Sequence, residues 1–325
     1  LFIQMISNLN TNSHIFFNKN SKIKNYLAAI AIGSKHFKDW KKYSYPSWKA
    51  YCKKNNLGII IIKKDLINKK SFFWKKPTWQ RLLIGQYIRE NNINISNICV
   101  LDTDIFINNL SPNIFKVSNL NKISVVHLHK NLPHSQSDYK LRERLVYLRR
   151  YFLNYSYPLR SSITAKPIEI YKNYNLKNSS NDYFQAGVMV YDVNKHYKLL
   201  YKIYLKYCSV INKKKFRGVE IPLNHELTKN TRKLHWLDYK FQTIWLYELA
   251  DKYSFLYRVK KNYKEIKKYC AEEIILNSYF LHFAGTFKDA AKVWKIDNFF
   301  SDKKLMKLNL AFNSKQKKLK PKFKK

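Results

Sequence analysis

Residues 58–62 read GIIII, four β-branched side chains in a row with no polar position between them. Such a run makes a strand buried on both faces, and strands of that kind belong in sheets covered by helices. The surrounding chain agrees. YLAAIAIG (26–33) is a short apolar run closing on glycine and predicts a first strand, while 35–56 is helical in character with an interruption near Pro46. Pro77 and Thr78 open a helix whose apolar face carries Trp79, Leu82, Leu83, Tyr87 and Ile88 at a 3.6-residue period. NICVLD (97–102) and ISVVHLH (123–129) predict two more strands, and a charged helical stretch covers 137–153. YFQAGVMVYDV (183–193) is a further strand, followed by a helix that Asn194 would cap and that runs to Ile211. A short helix over 220–229, a strand over 232–241 and the strand IILNSYFLHFAG (274–285) complete the alternation. The pattern predicts an α/β fold. There is no internal repeat, and 130–180 and 246–273 read as insertions.

Chemistry in open α/β sheets gathers beyond the carboxyl ends of the strands. Asp102 and Asp104 lie at such an end, with Thr103 between them. Two carboxylates one residue apart can meet on one cation if the chain bends between them, and as hard oxygen ligands they suit Mg²⁺ or Mn²⁺. Alone, the pair is also readable as the polar end of a strand. HFAGTFK (282–288) follows another apolar strand and carries His282, Gly285 and Lys288 at even spacing. His282 offers a third ligand, Gly285 a close backbone approach to phosphate, and Lys288 a charge to neutralise it.

LDTDIF, FQAGVMVYD and HFAGTFK occur in the order and approximate spacing of glycosyltransferase family 8, and the chain resembles that family over 26–294. The resemblance implies a GT-A fold with a mixed, mostly parallel central sheet flanked by helices. It implies a nucleotide-sugar donor, usually UDP-linked, a Mn²⁺ (or Mg²⁺) cofactor, and hexosyl transfer with retention to a glycan, lipid or protein hydroxyl. By position, Asp102 and Asp104 resemble the acidic metal motif and His282 its distant third ligand, with Gly285 and Lys288 at the diphosphate. Ala31, Ile32 and Gly33 resemble the segment near the nucleotide base, and Arg81 a basic residue that reaches the donor. Gln185, Ala186 and Gly187 match the Asn-Ala-Gly of the sugar pocket, with Gln in place of Asn. Glu220 falls near the family's D-Q-D segment beneath the anomeric carbon, where this chain has Val219, Glu220 and Ile221 instead. Three roles stand open for Glu220: stabilising a cationic sugar, briefly forming a covalent bond to it, or serving as an acid favoured by a helix dipole.

The net charge is +41, from 62 Lys and Arg against 21 Asp and Glu. Either it reflects compositional drift on solvated faces, or it marks an anionic partner such as a membrane surface; both predict attraction to anionic surfaces. A nucleic-acid-binding protein is the alternative from another class, but the basic residues are spread along the chain and no such motif is present, so nucleic acid is not the expected partner. A non-catalytic relative that kept the fold is the other alternative. Cys52, Cys99, Cys208 and Cys270 are isolated, which argues against a disulfide framework and for a reducing, cytoplasmic setting, with peripheral contact at the inner membrane face an option. The expected organisation is a variable segment over 1–25, a catalytic domain over 26–300 and a basic tail over 301–325. His127 and His129 lie two apart on a strand and could bind metal, but no cysteine or carboxylate lies close in sequence, so they read as acceptor contacts or surface polarity. Asp182 reads as a donor-hydroxyl contact or a turn residue.

Overall fold

The computed structural model describes residues 9–18, 22–128, 145, 166–177, 180–253 and 264–284. Gly285, Lys288, His129, the charged stretch 137–153 and the tail from 301 lie outside the described residues, apart from Leu145.

Seven strands form the main sheet: β1 (His14–Phe17), β2 (Asn25–Ile30), β3 (Gly58–Ile62), β4 (Asn97–Leu101), β6 (Ile123–His127), β7 (Phe184–Asp192) and β8 (Leu234–Leu237), in the order β1-β3-β2-β4-β7-β6-β8. Three short strands, β5 (Ile105–Ile107), β9 (Thr243–Ile244) and β10 (Phe280–His282), make a second sheet in the order β5-β10-β9. In the main sheet β3, β2 and β4 are parallel, as are β6 and β8, while β7 runs against β4 and β6 and β1 against β3. The sheet is therefore mixed, with five of its seven strands running the same way, in keeping with the expected mostly parallel arrangement. The reversed β7 matters most for function. Leu101 pairs with Val188 and His127 with Phe184, so the start of β7 lies where β4 and β6 end.

The GIIII strand is buried at every position, and its alternate side chains enter two cores. Ile60 and Ile62 pack with Trp79, Leu82, Leu83, Tyr87 and Met189 on one face; Ile59 and Ile61 pack with Trp40, Trp48, Leu101 and Val188 on the other. Both faces are covered, so polar alternation never appears in the sequence of this strand.

Helices α1 (Ser34–Tyr43) and α2 (Tyr45–Asn55) divide the 35–56 stretch at Ser44, with Pro46 in the first turn of α2. The run from Pro77 becomes α3 (Pro77–Gln80), a 3₁₀ turn (Arg81–Leu83) and α4 (Ile84–Glu90). Its five periodic side chains are all buried. The remaining helices are α5 (Ile114–Val117), α6 (Pro167–Asn173), α7 (Val193–Lys206), α8 (Val210–Lys215), α9 (Glu220–Thr228), α10 (Trp245–Lys252) and α11 (Lys264–Asn277).

Four expectations are corrected. The cap of α7 is Asp192, whose carboxylate accepts the Lys195 amide, two residues before Asn194. That helix stops at Lys206, and Ser209 caps a separate helix, α8. Within 232–241 only Leu234–Leu237 is extended, because Asp238 caps a 3₁₀ turn over Tyr239–Gln242. The run 274–285 is not one strand: α11 continues to Asn277 and only Phe280–His282 is extended. The Asn108 amide donates to the carbonyls of Ile275 and Ser278 at 2.9 and 3.2 Å, terminating the helix from outside it. An apolar run of this length does not distinguish helix from strand by itself. The 1–25 segment, expected to be variable, contributes the edge strand β1. Among the described residues the four cysteines are free and buried, and no helix is long and apolar enough to cross a membrane.

Candidate metal centre

The acidic pair closes β4. The Asp102 amide donates to the Gly187 carbonyl at 2.9 Å, extending the β4–β7 pairing by one residue. The chain then turns: the Ile105 amide donates back to the Asp102 carbonyl at 3.3 Å, and β5 starts at once. Ser44 Oγ, at the break between α1 and α2, donates to the Thr103 carbonyl at 2.6 Å, and Trp48 Nε1 donates to that of Ile105 at 2.8 Å. The bend needed to converge the two carboxylates is thus held by hydrogen bonds from the helix pair that follows β2.

His282 arrives on β10, opposite Ile105 of β5 and beside Ile244 of β9. The Phe283 amide donates to the Asp104 carbonyl at 3.0 Å. His282 Nε2 then lies 3.2 Å from Asp104 Oδ1 and 3.5 Å from Asp102 Oδ2. One ligand atom from each of the three residues falls within 4.8 Å of the others. Adjacent ligands of an octahedral Mg²⁺-sized cation, each about 2.1 Å from it, are about 3 Å apart. Two hard oxygens and one imidazole nitrogen at this spacing fit Mn²⁺ or Mg²⁺.

Arg81 sits in the 3₁₀ turn, buried at 8% exposure. Its guanidinium donates to the Ala186 carbonyl and to Asp102 Oδ1, which leaves Oδ2 facing His282. Burial opposes the charge on His282, but the Asp104 carboxylate outweighs it and raises the imidazole's pKa. Burial likewise opposes the charge on Asp104, and His282 lowers its pKa in turn.

Gly187 makes this approach possible. A Cβ there would lie 2.6 Å from both His282 Cε1 and Gln242 Nε2. Ala31, Ile32 and Gly33 stand at the carboxyl end of β2, the parallel neighbour of β4. Gly33 has φ 94° and leads into α1, a conformation that suits glycine. Gln185 and Ala186 open β7 on the same edge.

Glu220 is the first residue of α9. Burial raises its pKa to about 7, with the Asp102 carboxylate adding to the effect and a Tyr183 hydrogen bond opposing it. Glu220 therefore belongs electrostatically to the acidic cluster. Asn224, one turn further along α9, fixes that position: its amide accepts from Phe184 N–H and donates to the Phe184 carbonyl, each at 2.7 Å, like a strand partner for β7.

Two features had no readable signal in the sequence. Asn224 is one. The other is Gln242, at the end of the 3₁₀ turn, whose Nε2 lies 3.0 Å from Gln185 Oε1 and 3.3 Å from His282 Nδ1. Asp182 brings a carboxylate to His127 at 3.1 Å, a pairing invisible in local sequence. A small cleft beside the centre is lined by His127, Gln185, Tyr239, Gln242, Thr243 and Tyr247.

No protein-family model matches the chain, and no curated protein does. Solved structures similar to it include a glycosyltransferase involved in glycosylation of the major capsid of PBCV-1, at 10% identity and TM-score 0.44, covering 82% of this chain and 98% of that one. The bifunctional glycosyltransferase WbbM is similar at 12% identity and TM-score 0.45, over 82% of this chain and 46% of that one. The galactosyltransferase LgtC, solved with donor and acceptor sugar analogues, is similar at 10% identity and TM-score 0.43, over 79% of this chain and 86% of that one.

Proposed function

We propose that this protein is a metal-dependent glycosyltransferase. It would move a hexose from a nucleotide-sugar donor, UDP-linked, to a hydroxyl of a glycan, lipid or protein acceptor, with retention at the anomeric carbon. The observation that carries this reading is the meeting of Asp102, Asp104 and His282 within reach of one cation. Support comes from the strand ends around them, where 31–33 and 185–187 share the same sheet edge.

In this reading Asp102, Asp104 and His282 would hold Mn²⁺ or Mg²⁺, and Thr103 carries the bend between the acids. The cation supplies the charge that stabilises a departing diphosphate. Arg81 keeps one oxygen of Asp102 occupied, so the other is oriented for ligation. Ala31, Ile32 and Gly33 receive the nucleotide; Gln185, Ala186 and Gly187 face the sugar; Gly285 and Lys288 contact the diphosphate. The acceptor hydroxyl attacks from the side the diphosphate leaves and gives its proton to the departing phosphate, while Glu220 stabilises the cationic sugar from beneath.

A screen of nucleotide sugars for Mn²⁺-dependent hydrolysis tests the reading without an acceptor. One donor should be hydrolysed, the activity should vanish on chelation, and Asp104→Ala should lower it by about 100-fold or more. Wild-type activity in Asp104→Ala, or no donor turned over with any divalent cation, would sink the assignment.

A further inference from the structure

We infer that Gln242 is the positioning residue for His282, presenting its amide oxygen to Nδ1 so that Nε2 is free for the cation; this rests on the metal centre proposed above. A neutral imidazole that gives Nε2 to a metal carries its proton on Nδ1, and that N–H needs an acceptor. Among the described residues, the group within hydrogen-bonding distance of His282 Nδ1 is the Gln242 amide, at 3.3 Å. Gln242 is 4% exposed, and its Oε1 has no hydrogen-bond partner. Its Nε2 instead faces two positions, Gln185 Oε1 and His282 Nδ1.

The amide can serve Nδ1 in its other orientation. A half-turn of the two amides puts Gln242 Oε1 where it accepts from His282 Nδ1–H and from the Gln185 amide at once. The two orientations of a terminal amide have nearly the same shape, so the packing is unchanged. Gln185 keeps its bond in either orientation, because it can accept from Gln242 or donate to it. Gly187 completes the support, since any side chain there would displace both the imidazole and the amide. Gln242 and Gln185 also line the neighbouring cleft, so a substrate in that cleft would bear on the residues that aim the histidine.

Mn²⁺ binding, followed by electron paramagnetic resonance on the full chain without donor, tests the inference apart from turnover. Gln242→Met keeps the volume and removes the acceptor; it should weaken Mn²⁺ binding about 10- to 100-fold. Gln242→Glu keeps an acceptor and should bind Mn²⁺ as tightly as the wild type or more so. Equal weakening in both variants would mean the residue matters only for packing, and unchanged binding in Gln242→Met would remove it from the centre; either overturns the inference. Should Gln242→Met fail to fold, ¹⁵N resonances of His282 in the wild type with diamagnetic Mg²⁺ give the same answer: a proton on Nδ1 supports the inference and one on Nε2 overturns it. Wild-type Mn²⁺ binding that is absent, or indifferent to Asp104→Ala, removes the metal centre itself, a different failure from an unresponsive Gln242.

Discussion

At the scale of single residues the centre is a balance of charges held at close quarters, and Glu220 shows what it costs. Its folded pKa of about 7 lies above the value of 4.5 for an exposed glutamate. The folded protein therefore holds more protons than the unfolded chain between those two values, and Glu220 makes stability fall as pH rises through that window. Glu220→Gln imitates the neutral acid. Without added cation it should melt roughly 3–6 °C higher than the wild type at pH 8 and no higher at pH 4.5, as read by calorimetry. An equal shift at both pH values would show that burial is not straining this carboxylate. Gly187→Ala belongs to the same scale. Its methyl group would overlap the His282 ring, so Mn²⁺ affinity should fall about 10-fold or more, while circular dichroism shows the sheet intact. The acids and the histidine were legible in the sequence because each ends an apolar strand. Gln242 was not, because its role exists only once Gln185 and His282 are beside it.

At the scale of elements, the Asn224 side chain ties α9 to β7 by hydrogen bonds. Asn224 is fully buried and satisfies both backbone groups of Phe184. Asn224→Ala would strand a donor and an acceptor in the core, destabilising the fold by about 2–4 kcal/mol, measurable by urea unfolding. Because Glu220 begins the same helix, activity should fall beyond the loss of folded protein. Where one rule governs an element, the sequence was readable: GIIII lies where an unbroken β-branched run puts a strand, and the Pro77 helix lies where a 3.6-residue period puts it. It was misread where an end is decided from elsewhere. Asn108 stops α11 from far along the chain, and the second sheet consists of strands of two or three residues, too short for any period to show.

At the scale of the molecule, a chain of charge +41 surrounds an acidic centre. It should adsorb to vesicles containing anionic lipid in dilute buffer and come off near 0.5 M salt, where screening acts within roughly 4–5 Å, with no binding to neutral vesicles. Co-sedimentation would check this, and salt-resistant binding would point to a specific lipid contact. The three-strand sheet has a further consequence, in the order of assembly. Every strand of the large sheet has left the ribosome by Leu237, whereas His282 comes on the last described strand. The big sheet can pair while the acids still lack their imidazole, and the cation-holding geometry closes only when β9 and β10 fold back onto β5. The same seam is then the place to open first. Amide hydrogens of Asn108 and Phe283, which bridge the seam to Tyr279 and Asp104, should exchange with solvent faster than those of β4, and a bound cation should slow them selectively. Loss of metal would then proceed by unlatching a short C-terminal segment, leaving the sheet that carries the acids folded.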